Sequence, residues 1–303
     1  MVYKESECTP VSAADGSKLL KAAQSGGFPE LAKFLTWLER APVSQALTLD
    51  ELFAPAAMTF RFGITGPPGA GKSTLIARLL GHLRARGLKV GVIAVDPSSP
   101  FTRGAILGDR IRYSEHALDP GVFIRSLGTR GSLGGLSSAA FLMARAFDAC
   151  RFDLLLVETV GVGQTELDIL HVADQVCVVL VPESGDSVQA MKAGLMEIAD
   201  IFVVNKSDRP GADSLAREIE AAEVGVQVLR ATASENKGVR ELAEFLIAAR
   251  AGDWQKSRVS PERWREEAGA LMRGEWERGL AARLQDVRDL ESFRSRLCSP
   301  KSV

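Results

Sequence analysis

The sequence has no run of about 18 apolar residues, the length a membrane span needs, and no cysteine pair at ligand spacing. Charge of either sign is not in excess, and each of these absences removes a class of function. Cys8, Cys150, Cys177 and Cys298 are far apart, with no CxxC and no Cys/His cluster, which speaks against a disulfide framework and a zinc site. Cys177 sits in an apolar run and reads as a small buried hydrophobe. His82, His116 and His171 are scattered, and core or surface roles suit them better than a shared site. Lys and Arg number 37 against 38 Asp and Glu, so no broad basic field exists to hold nucleic acid or anionic lipid. Neither nucleic acid nor membrane is an expected partner. The first residues carry Lys4, Glu5 and Glu7, unlike a signal peptide, and the expected compartment is the cytoplasm.

What remains is the balance of a soluble globular chain, with 46% hydrophobic and 25% charged residues over 303 positions. From Ser17 to about Leu52 the pattern is helical with breaks. Leu31, Phe34, Leu35 and Leu38 form one stripe, Gly26, Gly27 and Pro29 interrupt before it, and Pro42 ends it. At Met58 the texture changes to short apolar runs alternating with helical stretches. The runs are Phe60–Ile64, Val90–Val95, Val122–Ile124, Leu154–Val157, Val176–Val181, Ile201–Val204 and Val226–Leu229. Continuous runs of this kind suit strands buried on both faces, and the intervals are long enough for crossover helices. From Asp253 onward the chain is polar and helical, with Trp254, Trp264, Trp276 and Leu280 along it. The expected fold is a three-layer α/β fold with a mostly parallel sheet over 56–250, an N-terminal helical extension over 1–55 and a C-terminal helical region over 251–303.

The strongest motif is Gly66-Pro67-Pro68-Gly69-Ala70-Gly71-Lys72-Ser73-Thr74, a complete G-x-x-x-x-G-K-[ST] between an expected strand and the amphipathic helix Leu75 to Leu83. Its glycines let N–H groups turn inward around a phosphate, and the helix N-terminus adds partial positive charge. Lys72 supplies a cation for the β- and γ-phosphates, and the Ser73 hydroxyl can ligate Mg²⁺. Asn205-Lys206-Ser207-Asp208 follows the run Ile201–Val204. An Asp carboxylate there can accept from the N1–H and 2-amino groups of guanine, which adenine lacks as a pair. GTP and GDP are therefore the expected nucleotides, with Asn205, Lys206 and Asp208 reading the base.

Three acidic residues have two readings each. Asp96 ends the second run, Asp109 lies in Gly108-Asp109-Arg110, and Glu158 ends the fourth run. At the carboxyl ends of strands they would reach a Mg²⁺ ion; each also fits a helix cap. Gly161 and Gly163 could let backbone approach the γ-phosphate. Gln164 could orient the attacking water or be a surface residue. Thr232-Ala233 could offer backbone N–H to the guanine carbonyl.

Taken together the motifs resemble the MeaB family of GTPases, MMAA in animals and formerly ArgK. The matching blocks are Gly66 to Thr74, Val95 to Ser99, Leu107-Gly108-Asp109-Arg110, Arg125 with Arg130 to Gly135, Glu158-Thr159-Val160-Gly161-Val162-Gly163-Gln164, Gly185-Asp186 with Met191 to Gly194, and Glu197 to Asp200 running into Asn205–Asp208. The resemblance covers about residues 55 to 250. It implies a G-protein chaperone that uses GTP to gate adenosylcobalamin delivery to, and protection of, a B12-dependent acyl-CoA mutase, usually methylmalonyl-CoA mutase. It further implies a homodimer, slow hydrolysis raised by the mutase, and a cobalamin adenosyltransferase as a further partner. Mg²⁺ coordination falls on Ser73, Asp96, Asp109 and Glu158. A third switch falls at about Pro182–Lys192, with Lys192 coupling nucleotide state to the partner. Glu183-Ser184 stands where the family has a small, glycine-rich pair, and Arg103 replaces a common glycine.

Three other functions compete. A metallochaperone GTPase would need Cys/His ligands near the switches. A small-molecule kinase would need an acceptor pocket and usually ATP, against which Asp208 argues. A nucleotide-binding scaffold without hydrolysis would not need the acidic set.

Overall fold

The computed structural model describes residues 13–53, 58–96, 113–116, 118–128, 138–159, 169–184, 196–222 and 225–284. Asp109, Gly161, Gln164 and Lys192 lie outside these residues, as do Cys8 and Cys298.

The apolar runs form β1 (Phe60–Thr65), β2 (Val90–Asp96), β3 (Val122–Gly128), β4 (Leu154–Glu158), β5 (Gln175–Leu180), β6 (Ile201–Val204) and β7 (Gln227–Arg230). They make one seven-stranded sheet in the order β3-β2-β4-β1-β5-β6-β7. Every pairing is parallel. The sheet is doubly wound about β1, which lies between β4 and β5, so the chain reverses its direction of travel there and opens a crevice at the carboxyl ends. β1 and β4 are buried along their whole length, as continuous apolar runs require. β7 is one of the two edge strands; its polar ends Gln227 and Arg230 are exposed, and it sits one residue beyond the apolar run.

Side chains alternate across the sheet with period two. Leu155 and Val157 face one core, and Leu154 and Leu156 face the other. The second core is covered by α5 (Lys72–Ala85), which buries Leu75, Ile76, Leu79, Leu80 and Leu83. The helix Val239–Arg250, which follows β7, packs beside it through Val239, Leu242 and Leu246.

The first core is built in two tiers. α6 (Ser138–Ala149), apolar nearly all round, lies on the sheet. Against it pack α2 (Phe28–Arg40), through its Leu31, Phe34, Leu35 and Leu38 stripe, and the short α4 (Asp50–Phe53). Full burial of a side chain such as Phe34 stabilises by about 1.5–3 kcal/mol. α1 (Ala13–Ser25) packs on α2, and α3 (Val43–Ala46) follows it. Pro29 does not interrupt the run as expected. It occupies the first turn of α2, where a missing N–H costs nothing.

After Arg250 come a one-turn helix, Trp254–Arg258, and a long one, Pro261–Leu284. Trp254 tilts against Phe60 at 5.4 Å between ring centroids. The long helix lies on α6 with Ala270 and Leu271 buried, while Trp264, Met272 and Trp276 are exposed. Arg145 of α6 forks onto Glu267 at 2.5 and 2.7 Å. Arg125, one of the residues in the family blocks, pairs with Glu39 of α2 at 2.5 Å.

Among the described residues no helix is long and apolar enough to cross a membrane. Cys177 is fully buried, and burial raises its thiol pKa far above the ordinary value; burial also raises that of Cys150, to about 11. The three histidines contact Asn236, the Ala77 carbonyl and Glu266; His82 and His116 border one shallow cleft beside α5, and His171 lies apart from them.

Candidate functional site

The loop from Gly66 to Gly71 turns back over the carboxyl ends of β1 and β5. Gly66 and Gly71 have φ of 137° and 85°, the left-handed region that favours glycine. A β-carbon on Gly66 would lie 2.1 Å from the Val179 carbonyl oxygen, and one on Gly71 would lie 2.5 Å from Asn205 Nδ2. α5 begins at Lys72 with its N-terminal N–H groups facing the loop. Lys72 is buried, and its Nζ donates to the carbonyls of Gly66 at 2.7 Å and Pro67 at 3.0 Å. The loop therefore curls around its own ammonium group. The cleft it borders has a volume of about 310 Å³ and is lined by Gly69, Lys72, Ser73, Thr74, Glu158 and Thr159 among others.

Glu158 reaches this cleft because β4 is in register with β1, Glu158 against Ile64. Its Oε1 accepts from Ser73 Oγ at 2.6 Å, and its Oε2 accepts from the Tyr113 hydroxyl. The Thr159 hydroxyl donates to that of Thr65 at 2.9 Å, fastening the start of the loop after β4. Glu158 is thus engaged at the P-loop through Ser73. Asp96 is the last residue of β2, two positions past Ala94, which pairs with Glu158. Its side chain lies outside the described residues.

Hydroxyl and carboxylate oxygens 2.6 Å apart at a P-loop are hard donors that suit Mg²⁺. Among the described residues no group of three His, Cys, Asp or Glu can hold a metal ion. Such a site needs further oxygens from water and phosphate, the usual state of protein-bound Mg²⁺.

The second loop meets the first through Asn205. This buried amide donates from Nδ2 to the Ala70 carbonyl at 2.7 Å and accepts from the Ala233 N–H at Oδ1 at 3.1 Å. Both of its ends are occupied within the protein, so Asn205 is a strut between the P-loop and the turn after β7. Expecting it only to read a base missed that role. The Thr232 N–H donates to the Lys237 carbonyl at 3.0 Å. The Ala233 N–H is on Asn205, so both groups of the Thr232-Ala233 pair have partners within the protein. Ser207 clamps the loop: its Oγ lies 2.9 and 2.7 Å from the carbonyls of Val204 and Ala231, which share its one proton. Lys206 is held at φ 54°, a strained value for a non-glycine residue that the clamp maintains. Asp208 is exposed at the rim. Beside it, Arg209 pairs with Glu183, whose carboxyl it holds below the usual range.

A second charged cluster lies at the opposite, amino end of the sheet. Arg61 of β1 is buried and bonds Asp148 at 2.5 Å. Arg258 donates to Asp174 from Nε at 2.8 Å and to the Thr59 carbonyl at 2.8 Å. Burial, with the charge of Arg61 adding to it, lowers the Arg258 pKa to about 10, still far above neutrality. For Arg61, burial also acts downward, but Asp148 and Asp174 outweigh it and the net shift is upward. This cluster was not anticipated. The one available signal was a charged Arg61 inside a doubly buried strand, which requires a partner.

Residues 31–272 match the family described as methylmalonyl Co-A mutase-associated GTPase MeaB. A Pyrococcus horikoshii protein named as a GTPase is 48% identical over 238 residues, covering 75% of each chain. The Escherichia coli GTPase ArgK is 36% identical over 253 residues, 78% of this chain and 76% of that one. The Caenorhabditis elegans mitochondrial homolog of methylmalonic aciduria type A is 38% identical over 206 residues, 63% of this chain and 52% of that one. The solved structure of LAO/AO transport system kinase superposes with a TM-score of 0.65 at 26% identity, covering 92% of this chain and 89% of that one. A doubly wound parallel sheet, a P-loop closed on its own lysine and a family match over most of the sequence agree, and the chain belongs to the MeaB family of P-loop GTPases.

Proposed function

We propose that this chain is a GTP-driven switch that gates adenosylcobalamin loading and protection of a B12-dependent acyl-CoA mutase, with methylmalonyl-CoA mutase as the first candidate client. The observation that carries the reading is the Asn205 strut, which fastens an N-K-x-D loop to a P-loop in a chain of this family. Lys72 and the N–H groups of the loop bind the phosphates, and Asp208 accepts from guanine with Lys206 beside it. Ser73, Glu158, Asp96 and Asp109 would hold Mg²⁺, which neutralises charge between the β- and γ-phosphates when bound. The pairing of Ser73 with Glu158 supports that set. Gly161 and Gln164 serve the γ-phosphate and the attacking water, and Lys192 couples the third switch to the client.

The chain divides into a helical region over 1–55, a G domain over 56–250 and a C-terminal region over 251–303. Trp264, Met272 and Trp276, exposed on the C-terminal helix, support a homodimer, which light scattering tests. Few described side chains at the phosphate end can activate water, so hydrolysis alone is slow and the client supplies the missing stabilisation. The test is steady-state GTP hydrolysis with and without a B12-dependent acyl-CoA mutase. Stimulation that Lys192→Ala largely removes, at nearly unchanged nucleotide affinity, is the expected result. No stimulation by any such mutase would refute the client.

A further inference from the structure

Tyr113 is one of two tyrosines in the sequence and among the largest fully buried side chains of the structure. Its ring belongs to the core under α5, and its buried hydroxyl donates to Oε2 of Glu158, which lines the cleft. The short helix Ser114–His116 that follows is tied to α5 at two points: His116 Nε2 lies 2.7 Å from the Ala77 carbonyl, and Arg78 pairs with Glu115 at 3.2 Å. The tyrosine is therefore a fixed post set beside the P-loop helix.

A glutamate carboxylate turns easily about its last torsion, where the energy surface is broad. Ser73 fixes one oxygen of Glu158, and Tyr113 fixes the other. Two donors on two oxygens define the plane of the group as well as its position. Mg²⁺ tolerates little deviation from octahedral geometry, so the orientation of a carboxylate that would hold it bears directly on its affinity. We propose that Tyr113 is a positioning residue that orients Glu158 and thereby sets the Mg²⁺ dependence of nucleotide binding. The inference rests on the Mg²⁺ reading above and adds to it a residue that no motif contains.

The test is Tyr113→Phe, which keeps the buried ring and removes only the hydroxyl. Affinity for a fluorescent GDP is measured in EDTA and across a Mg²⁺ titration, with Glu158→Gln and the double variant alongside. In EDTA, Tyr113→Phe should match the wild type within about twofold, which also establishes that it folds. The Mg²⁺ concentration at half-effect should rise about 10-fold, the usual cost of losing an orienting partner behind a metal ligand. In the Glu158→Gln background the same change should add almost nothing, because there is no carboxylate left to orient. A Tyr113→Phe midpoint within twofold of wild type would overturn the proposal, as would full additivity with Glu158→Gln. Wild-type GDP binding indifferent to Mg²⁺ would instead overturn the metal reading, and the proposal with it.

Discussion

Replacing Asn205 by alanine separates a strut from a base reader. The substitution orphans two buried backbone groups, the Ala70 carbonyl and the Ala233 N–H, whose present bonds are 2.7 and 3.1 Å. A buried group left without its partner costs about 1–3 kcal/mol, so the pair is worth about 2–5 kcal/mol, with the upper end reduced where water enters the vacated space. Part of that appears as lost stability of the free protein. The rest appears as weaker nucleotide binding, because the P-loop and the turn after β7 are no longer held together. A 10- to 100-fold loss of GDP affinity corresponds to about 1.4–2.7 kcal/mol of it. The discriminating measurement compares GDP with IDP, which lacks the 2-amino group. Asn205→Ala should weaken both by the same factor and leave their ratio intact. Asp208→Asn should bring the ratio toward one, since it removes a charge-assisted contact worth about 2–3 kcal/mol in total. An Asn205→Ala protein that keeps wild-type melting and GDP affinity would refute the strut. One that loses the GDP over IDP preference would make Asn205 a reader of the base.

Lys72→Ala should abolish measurable GTP hydrolysis, because positive charge leaves the position where the transition state gathers negative charge; turnover within 10-fold of wild type would contradict this. Gly71→Ala should cost about 1–2 kcal/mol for its left-handed backbone, and more for the collision with Asn205 Nδ2, read as a lower melting temperature and weaker GDP binding together. Arg258→Ala should destabilise by about 3–5 kcal/mol by leaving the buried carboxylate of Asp174 without its fork, on the order of 10 °C in melting temperature, with GDP affinity unchanged in the folded protein.

The parts of the molecule legible in the sequence are those whose signal is local. The P-loop is nine consecutive residues that must curl around a phosphate, and each strand buried on both faces writes itself as an apolar run. Glu158 was legible as the end of such a run, but its bond to Ser73 depends on the register between β1 and β4, which no single segment contains. Tyr113 lies 45 positions from the carboxylate it holds, with ordinary neighbours on either side. The Arg61 and Arg258 cluster joins segments up to 199 positions apart. The internal partners of the Thr232 and Ala233 N–H groups were not legible for a related reason. A two-residue motif does not reveal that the turn closes on Lys237 and Asn205 and uses them internally.

The two ends of the sheet differ in what can move. At the amino end Arg258 fastens the helix Trp254–Arg258 to Asp174 and the Thr59 carbonyl, and Arg61 holds Asp148. Farther along, Glu275 accepts from the Val43 N–H and Arg278 donates to the Ala41 carbonyl, so the C-terminal helix is bound to the N-terminal ones. A rearrangement travelling this way would have to break buried pairs that cost about 3–5 kcal/mol each when opened. Coupling between distant sites is typically about 1–3 kcal/mol, too little to open even one of them. At the carboxyl end, besides the buried Asn205 strut, there are contacts of another kind: an exposed Glu183–Arg209 pair, and a part-buried hydroxyl bond from Ser73 that a cation can replace with its own. Exposed pairs of that sort are worth about 0–1 kcal/mol, well within what a ligand can offset. The cheaper route from nucleotide to partner therefore runs over the loops at the carboxyl edge, where Glu183 borders the segment that leads to Lys192.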